Sequence, residues 1–187
     1  MERQKNTNNF FPLRVKVLPF TFIALILVFN IGAFTTLNER DAKNLYNQAQ
    51  EYLKKMLEQR KGFDNVTYTI LFHNAPIILS GIIPFAGALT VFTSYYTSGL
   101  FISVISQVLG RDRIGIILHT FSFFHTWLEL LSASIASTES IVLAYSIYRR
   151  RFKQELPYSF ALAFLAFSIL ALAASVETYY IQVLSQT

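Results

Sequence analysis

The sequence predicts an all-α, polytopic membrane protein, folded as a transmembrane helical bundle of about five spans. The first observation is composition: of 187 residues, 53% are hydrophobic and only 14% are charged, with a mean hydropathy of +0.40. A water-soluble domain of this length needs more polar side chains to cover its surface. The second observation is that the apolar residues form long runs, which cover residues 17–36, 69–92, 94–109, 114–148 and 158–184.

A third observation, the distribution of positive charge, predicts the orientation of the spans. The net charge of +5 is concentrated in two clusters, one before the first apolar run and one in the short loop 149–153. Positive clusters in short segments favour the cytoplasmic side, so an even number of crossings separates them. Five spans with a cytoplasmic N-terminus and an external C-terminus satisfy this condition. The charge therefore reports orientation, and we expect no nucleic-acid partner. The N-terminal cluster is Arg3, Lys5, Arg14 and Lys16.

The whole chain, 1–187, is predicted to be one integral membrane domain. Residues 1–16 form a basic cytoplasmic flank, and 17–36 form the first span, which lacks a clear small-residue cleavage site and is expected to be an uncleaved anchor. Four further spans are expected within 66–187. The runs 69–92 and 94–109 supply two of them. Because 114–148 is too long for one span, a short half-helix or a re-entrant segment over 114–121 should precede a span that starts near Ser122.

The longest polar stretch, 38–65, predicts an extracytoplasmic amphipathic helix. Its apolar residues recur with helical period, Asn38 is placed to cap the helix, and Lys61 and Gly62 suit its end. About 23 residues of helix are roughly 34 Å long. Such a helix lies on the bilayer or on the bundle, or offers a docking face to an external partner. The periodic residues are Ala42, Leu45, Tyr46, Ala49, Leu53, Met56 and Leu57.

Helix-breaking residues interrupt the second apolar run. Pro76, Gly81 and Pro84 fall within the range 69–92 that is otherwise apolar enough to span. Each proline removes a backbone donor, and in lipid the freed groups need neighbours to satisfy them. The pattern is typical of a plain kink in a tight bundle or of a discontinuous helix that lines a substrate path.

Polar residues on three predicted spans are expected to share one depth. Asn74, Glu129 and Glu177 each lie 20 residues along the chain from the cytoplasmic end of their span. At 1.5 Å per residue, all three fall about 30 Å above the inner boundary, and His125 precedes Glu129 by one helical turn. The sequence therefore predicts an intramembrane polar layer of Asn74, His125, Glu129 and Glu177.

Glu139 is a further carboxylate, on the same helical stripe as His125 and Glu129. Its position, about 15 Å from the inner end of its span, predicts a place near the middle of the membrane. An ionised group that faces lipid there costs several kcal/mol, so we expect Glu139 to face protein or water and to carry a proton.

Three interpretations of these polar residues remain open. His125 and Glu129, four residues apart on one helix, could ligate a metal together with Glu177 and His119, although no diagnostic motif is present. Glu139 and Glu129 are possible ion or proton sites along a path. Alternatively, the groups form interhelical hydrogen bonds that fix the register of the bundle. No hydrolase motif and no cysteine is present, so we expect no enzyme activity and no cofactor.

Three segments resemble the stage II sporulation protein M family, including its archaeal members. They are FHNAPIILSGIIPFAGALTVFTSYYTSGLFISVISQVLG, HTFSFFHTWLELLSASIA and LALAASVETYYIQ, and the resemblance covers about 65–184. The family pattern has an early Asn, a Gly, a Pro-His-Gly-x-x-Glu element and a late Ile-Glu. Asn74, Gly99, Glu129 and Glu177 match these positions and His125 stands in the place of the histidine. Phe124 and Thr126 replace the flanking Pro and Gly, and Glu139 has no counterpart.

The resemblance implies a membrane bundle with a polar layer, in a family whose namesake assembles with peptidoglycan-remodelling partners during engulfment. The leading hypothesis is a non-enzymatic scaffold or accessory subunit of a complex in the cytoplasmic membrane. Its partners would be the lipid bilayer and other membrane proteins or further copies of the chain. The second hypothesis is a small transporter or channel that moves protons or cations past Glu139 and Glu129.

Overall fold

The computed structural model describes residues 10–59 and 63–185, and within them the chain forms seven α-helices without a strand. Arg3, Lys5 and the predicted helix end at Lys61 and Gly62 lie outside the described residues. In chain order the helices are α1 (Phe11–Phe34), α2 (Glu39–Gln59), α3 (Phe63–Ser80), α4 (Ala86–Leu109), α5 (Arg113–Ser122), α6 (Phe124–Tyr148) and α7 (Phe152–Ser185).

The predicted all-α membrane fold is confirmed. Within the described part of the chain, α1, α4, α6 and α7 are long and apolar enough to cross a membrane. The shorter helix α3 packs against α4, α6 and α7 as the fifth helix of the bundle. Its Thr67 hydroxyl donates to the Thr178 hydroxyl of α7 over 2.9 Å.

Helix α6 is the central helix of the bundle. In its most apolar 18-residue stretch 72% of the residues are buried, against 28% in α1, 22% in α4 and 28% in α7. Its buried face is rich in small side chains, including Ser132, Ala133 and Ala136, which let neighbouring backbones approach closely. The Ser132 hydroxyl donates to the Ala166 carbonyl of α7 over 2.7 Å. The candidate polar residues of α6 therefore point into the interior of the bundle.

The prediction of one helix over 69–92 is wrong, because the chain leaves α3 after Ser80 and starts α4 at Ala86. Pro76 lies inside α3 and does not end it, whereas Gly81 and Pro84 lie in the connecting turn. The two runs 69–92 and 94–109 thus become a helical hairpin whose second helix begins eight residues earlier than predicted.

Ser140 of α6 provides hydrogen-bond partners for the backbone of this turn. The Ser140 hydroxyl donates to the Ile83 carbonyl over 2.7 Å and accepts from the Ala88 N–H over 3.0 Å. A turn buried in a bundle needs such partners, since no water reaches its polar groups. A serine on a helix more than fifty residues later in the sequence therefore replaces two missing helical hydrogen bonds.

Helices α1 and α4 cross at two glycines. A methyl group at Gly32 would collide with the Tyr96 carbonyl oxygen, and one at Gly99 would collide with the Phe29 carbonyl oxygen. The backbones consequently lie closer than side chains permit, which is the membrane packing that small residues allow. Gly99 is thus a packing residue between α1 and α4.

The predicted short helix before the fourth span is confirmed. It is α5, which ends at Ser122 and is separated from α6 by Phe123 alone. The Asp112 carboxylate caps its N-terminus by accepting from the N–H groups of Ile114 (3.2 Å) and Gly115 (2.8 Å).

The polar stretch forms α2, which packs against α4. The Asn38 side-chain oxygen accepts from the Asp41 N–H over 2.9 Å, so Asn38 caps the helix as its position indicates. On the exposed face Lys43 donates to Glu39 over 2.6 Å, and this hydrogen bond lowers the pKa of the Glu39 carboxyl below its usual value.

Helix α1 begins at Phe11, inside the range 1–16 that was predicted to be a solvated flank. Pro12, at the start of the helix, suits the first helical turn. Arg14 is consequently the fourth residue of a bundle helix, and only 7% of its surface is exposed. The assignment of Arg14 to the cytoplasmic flank is therefore corrected, whereas Lys16 is exposed.

Candidate functional site

Helices α3, α6 and α7 bring the predicted polar layer together. The Asn74 side-chain amide of α3 donates to Glu129 Oε1 of α6 over 3.0 Å. His125, one helical turn before Glu129 on α6, lines a cavity together with Glu177 of α7. Residues of three different helices thus form one cluster, here called the outer cluster: Asn74, His125, Glu129 and Glu177.

A cavity of about 220 Å³ opens beside this cluster. It lies between α3, α4, α5 and α6, with Asn74 and Glu129 in its wall. The other polar side chains of the wall are hydroxyl groups and one imidazole, and the remaining lining side chains are apolar. The polar lining residues besides the two just named are Ser94, Tyr95, Ser98, Thr120, His125 and Thr126.

His125 separates this cavity from a second one of about 280 Å³, which contains Glu177 in its wall. The imidazole stacks on the Phe123 ring at 5.4 Å between centroids and lies 6.1 Å from the Tyr180 ring. Its Nδ1 is buried without a hydrogen-bond partner in the structure. Aromatic packing, and not a hydrogen bond to Glu129, therefore holds the ring.

The metal site that the sequence left open is not supported. Among the described residues no group of three or more His, Asp or Glu side chains is arranged to hold a metal ion. His119 packs edge-on against Phe123 at 4.8 Å between ring centroids. Glu129 and Glu177 each border a different cavity, so His125 and the two carboxylates do not converge on one point.

Glu139 belongs to a separate cluster, here called the inner cluster, with Arg14, Glu155 and Ser159. The Arg14 guanidinium donates from Nε to Glu139 Oε1 over 2.8 Å and from Nη2 to Oε2 over 3.0 Å. Its Nη1 donates to Glu155 over 2.6 Å, and the Ser159 hydroxyl donates to Glu139 over 2.6 Å. Glu139 was expected to carry a proton. Instead, both of its carboxylate oxygens accept from Arg14 in a bidentate ion pair.

The inner cluster also corrects the depth expected for Glu139. Arg14 and Glu155 are each the fourth residue of their helices, α1 and α7. Glu139 therefore lies level with the first turns of two neighbouring helices, and not at the middle of all the spans. Counting residues from the end of α6 misjudges this depth, because α6 continues to Tyr148 beyond that level.

Arg14, Glu155 and Ser159 were not expected to be site residues. The available signal was that each charged residue lies just before an apolar run, next to aromatic or leucine side chains. That signal does not identify a partner. Only the packing of α1 and α7 against α6 shows that both charges meet Glu139.

An apolar layer separates the two clusters. Glu129 and Glu139 are ten residues apart on α6, hence about 15 Å along the helix. Leu25, Leu130 and Leu170 are at most 2% exposed between them, and together with buried alanines they form the core. The Thr21 and Thr138 hydroxyls in this region bond each other over 2.9 Å. The cavity beside Glu129 and the crevice beside Glu139 share no lining residue.

A crevice of about 380 Å³ lies beside the inner cluster, between α1, α6 and α7. Its wall is apolar apart from Arg14, Glu139, Thr138 and the Tyr158 hydroxyl. Ala161 leaves room in this crevice, since its side chain is small and exposed. An apolar side chain or an acyl chain fits such a surface better than a polar ligand does.

The comparison with protein families matches the description Stage II sporulation protein M over residues 20–180. No curated protein and no solved structure matches the chain. The matched range contains the whole outer cluster together with Glu139, Glu155 and Gly99, whereas Arg14 precedes it. The match covers most of the chain.

Proposed function

Because the chain belongs to the stage II sporulation protein M family and is a helical membrane protein, we propose that it is a non-enzymatic scaffold or accessory subunit of a membrane complex. The proposed location is the cytoplasmic membrane, with the basic N-terminal end of α1 and the loop 149–153 on the cytoplasmic side. The proposed partners are other integral membrane proteins.

The observation that carries this proposal is that the inner cluster is closed on itself. The Glu139 side chain is 1% exposed, and both of its oxygens bond Arg14. A carboxylate that relays protons or cations needs access to water and a change of partner. A closed ion pair joins helices instead, and it supports a rigid bundle that holds other proteins.

The apolar crevice between α1, α6 and α7 is the proposed contact surface. A partner helix would pack its side chains into this crevice, because close packing drives helix association in membranes. The exposed face of α2 provides a second, polar surface outside the bilayer. A scaffold with contacts at two levels can position a membrane partner and an external domain together.

The test is purification of the tagged chain from its native membrane in mild detergent, followed by mass spectrometry of the bound proteins. We expect a stoichiometric partner that survives Leu172→Trp, a change at a site 53% exposed on α7, and that is lost with Ala161→Trp, which fills the crevice. No stoichiometric partner in wild type would refute the scaffold role, and equal retention by both variants would refute the contact surface.

A second candidate function, a small transporter or channel, is favoured by one observation, the cavity that contains Glu129. The apolar layer beneath it argues against a path through one chain. Proton flux into proteoliposomes distinguishes the candidates. A flux that Glu129→Gln and Glu139→Gln both abolish would establish transport, and no flux above empty liposomes would leave the scaffold role.

A further inference from the structure

We propose that the outer cavity binds a primary ammonium group. The cavity of about 220 Å³ has room for roughly seven water molecules at about 30 Å³ each, and so for a small organic cation. Its wall combines a carboxylate, an amide, hydroxyl groups and aromatic rings. This site does not depend on the scaffold role, since its lining shares no residue with that of the apolar crevice.

Neither carboxyl group of the outer cluster forms an ion pair with a residue that the structure describes. Within the described part of the chain the only buried ion pairs join Arg14 to Glu139 and Glu155. Glu129 accepts from the neutral Asn74 amide, and Glu177 lies in the wall of the adjoining cavity. In the inner cluster Arg14 supplies the cation that pairs with the carboxylates. In the outer cluster a bound ligand would supply it.

Aromatic rings make an ammonium group the best-suited cation. Phe29, Tyr95 and Phe121 line the cavity, and the Phe29 and Phe121 rings meet edge to face at 5.4 Å. A cation over ring faces gains electrostatic attraction, and its N–H groups can donate to a carboxylate and to hydroxyl oxygens. A metal ion needs several converging ligands, which the described His, Asp and Glu residues do not supply.

The ammonium group has two possible sources with the same chemistry. Glu129 lies about 15 Å along α6 from Glu139, toward the end of the bundle opposite the inner cluster. A soluble amine would enter the cavity from that end, and the headgroup of phosphatidylethanolamine would enter it from the bilayer. Both present a primary ammonium group to the cavity.

The test is a titration of the chain in nanodiscs of phosphatidylglycerol alone, with ethanolammonium chloride as the probe and binding measured by calorimetry. We expect saturable binding that sodium chloride and the neutral analogue ethylene glycol do not reproduce. Glu129→Gln should weaken binding at least tenfold, because the charge is lost while an oxygen remains to accept from Asn74. Glu39→Gln, an acid on α2 outside the cavity, should leave binding unchanged.

A second variant blocks the cavity without changing Glu129, so that loss of binding does not depend on one substitution alone. Ser98→Trp fills the cavity from an exposed position on α4 and should abolish binding with Glu129 intact. Binding that persists in both variants, binding by ethylene glycol or equal binding by sodium would each overturn the proposal. Nanodiscs that also contain phosphatidylethanolamine then identify the source: weaker apparent binding of the probe indicates the headgroup, and unchanged binding indicates a soluble amine.

Discussion

Arg14 and Glu139 are 125 positions apart in the sequence, and each would be costly to bury alone. Their ion pair is nearly closed to solvent, with side chains 8% and 1% exposed. With every group ionised the cluster carries one positive and two negative charges. Glu155 lies in the first turn of α7, where the positive end of the helix dipole offsets the excess negative charge.

Removing the shared cation should destabilise the bundle more than removing one anion. Arg14→Met leaves Glu139 and Glu155 buried without a cation, so we expect a loss of about 3–5 kcal/mol in the free energy of unfolding. Glu155→Gln leaves the pair of Arg14 with Glu139 intact and should cost less. Unfolding of the detergent-solubilised protein by SDS, followed by circular dichroism, measures both losses.

The control for these two variants is Glu39→Gln on the exposed face of α2, which should not measurably change the unfolding midpoint. An Arg14→Met protein as stable as the Glu39→Gln control would show that the inner cluster does not hold α1 to α6 and α7.

At the scale of the elements, glycine decides how closely α1 and α4 approach. The Cβ atom of any other residue at position 99 meets the backbone of α1, which cannot rotate away as a side chain can. The resemblance to the family assigned Gly99 to a motif, and the packing explains its chemistry. The residue is small because a helix backbone occupies the space where its side chain would be.

Gly99→Ala should force α1 and α4 apart. We expect a loss of about 1–3 kcal/mol in the free energy of unfolding, the usual cost of an overpacked contact. Thr97→Ala, two residues earlier on an exposed face of α4, is the matched control and should be nearly neutral. Equal unfolding midpoints for the two variants would contradict the close crossing. The same SDS titration provides the measurement.

For the whole molecule, the distribution of basic residues agrees with the packing. The Phe10 ring before α1 meets the Tyr145 ring at 5.6 Å, and Arg149 donates to the Tyr145 hydroxyl. The start of α1 and the loop after α6 therefore share one end of the bundle. Helix α2 follows the opposite end of α1, about 36 Å away along a helix of 24 residues.

This polarity predicts which side of the membrane each end faces. The chain has no cysteine, so single cysteines can report accessibility without further changes. We expect Asn47→Cys on α2 to react with a membrane-impermeant maleimide added to intact cells. Gln154→Cys, near the basic loop, should react only after permeabilisation. The reverse pattern would invert the proposed orientation, and both sites are exposed in the bundle.

The sequence by itself determined the class of the molecule, the central place of the polar residues on α6 and the level shared by Asn74 and Glu129. These features follow from hydropathy and from a fixed rise per residue, which act within each helix. The short helix α5 was predictable for the same reason, since 114–148 exceeds one membrane thickness.

The tertiary structure alone decided the lateral arrangement of the helices. It placed Arg14 against Glu139 and Glu155 and divided the run 69–92 at Gly81. Periodicity within one helix carries no information about which neighbour faces it. That choice depends on close packing and on the need to pair every buried charge and every freed backbone group, and these requirements act between helices far apart in the sequence.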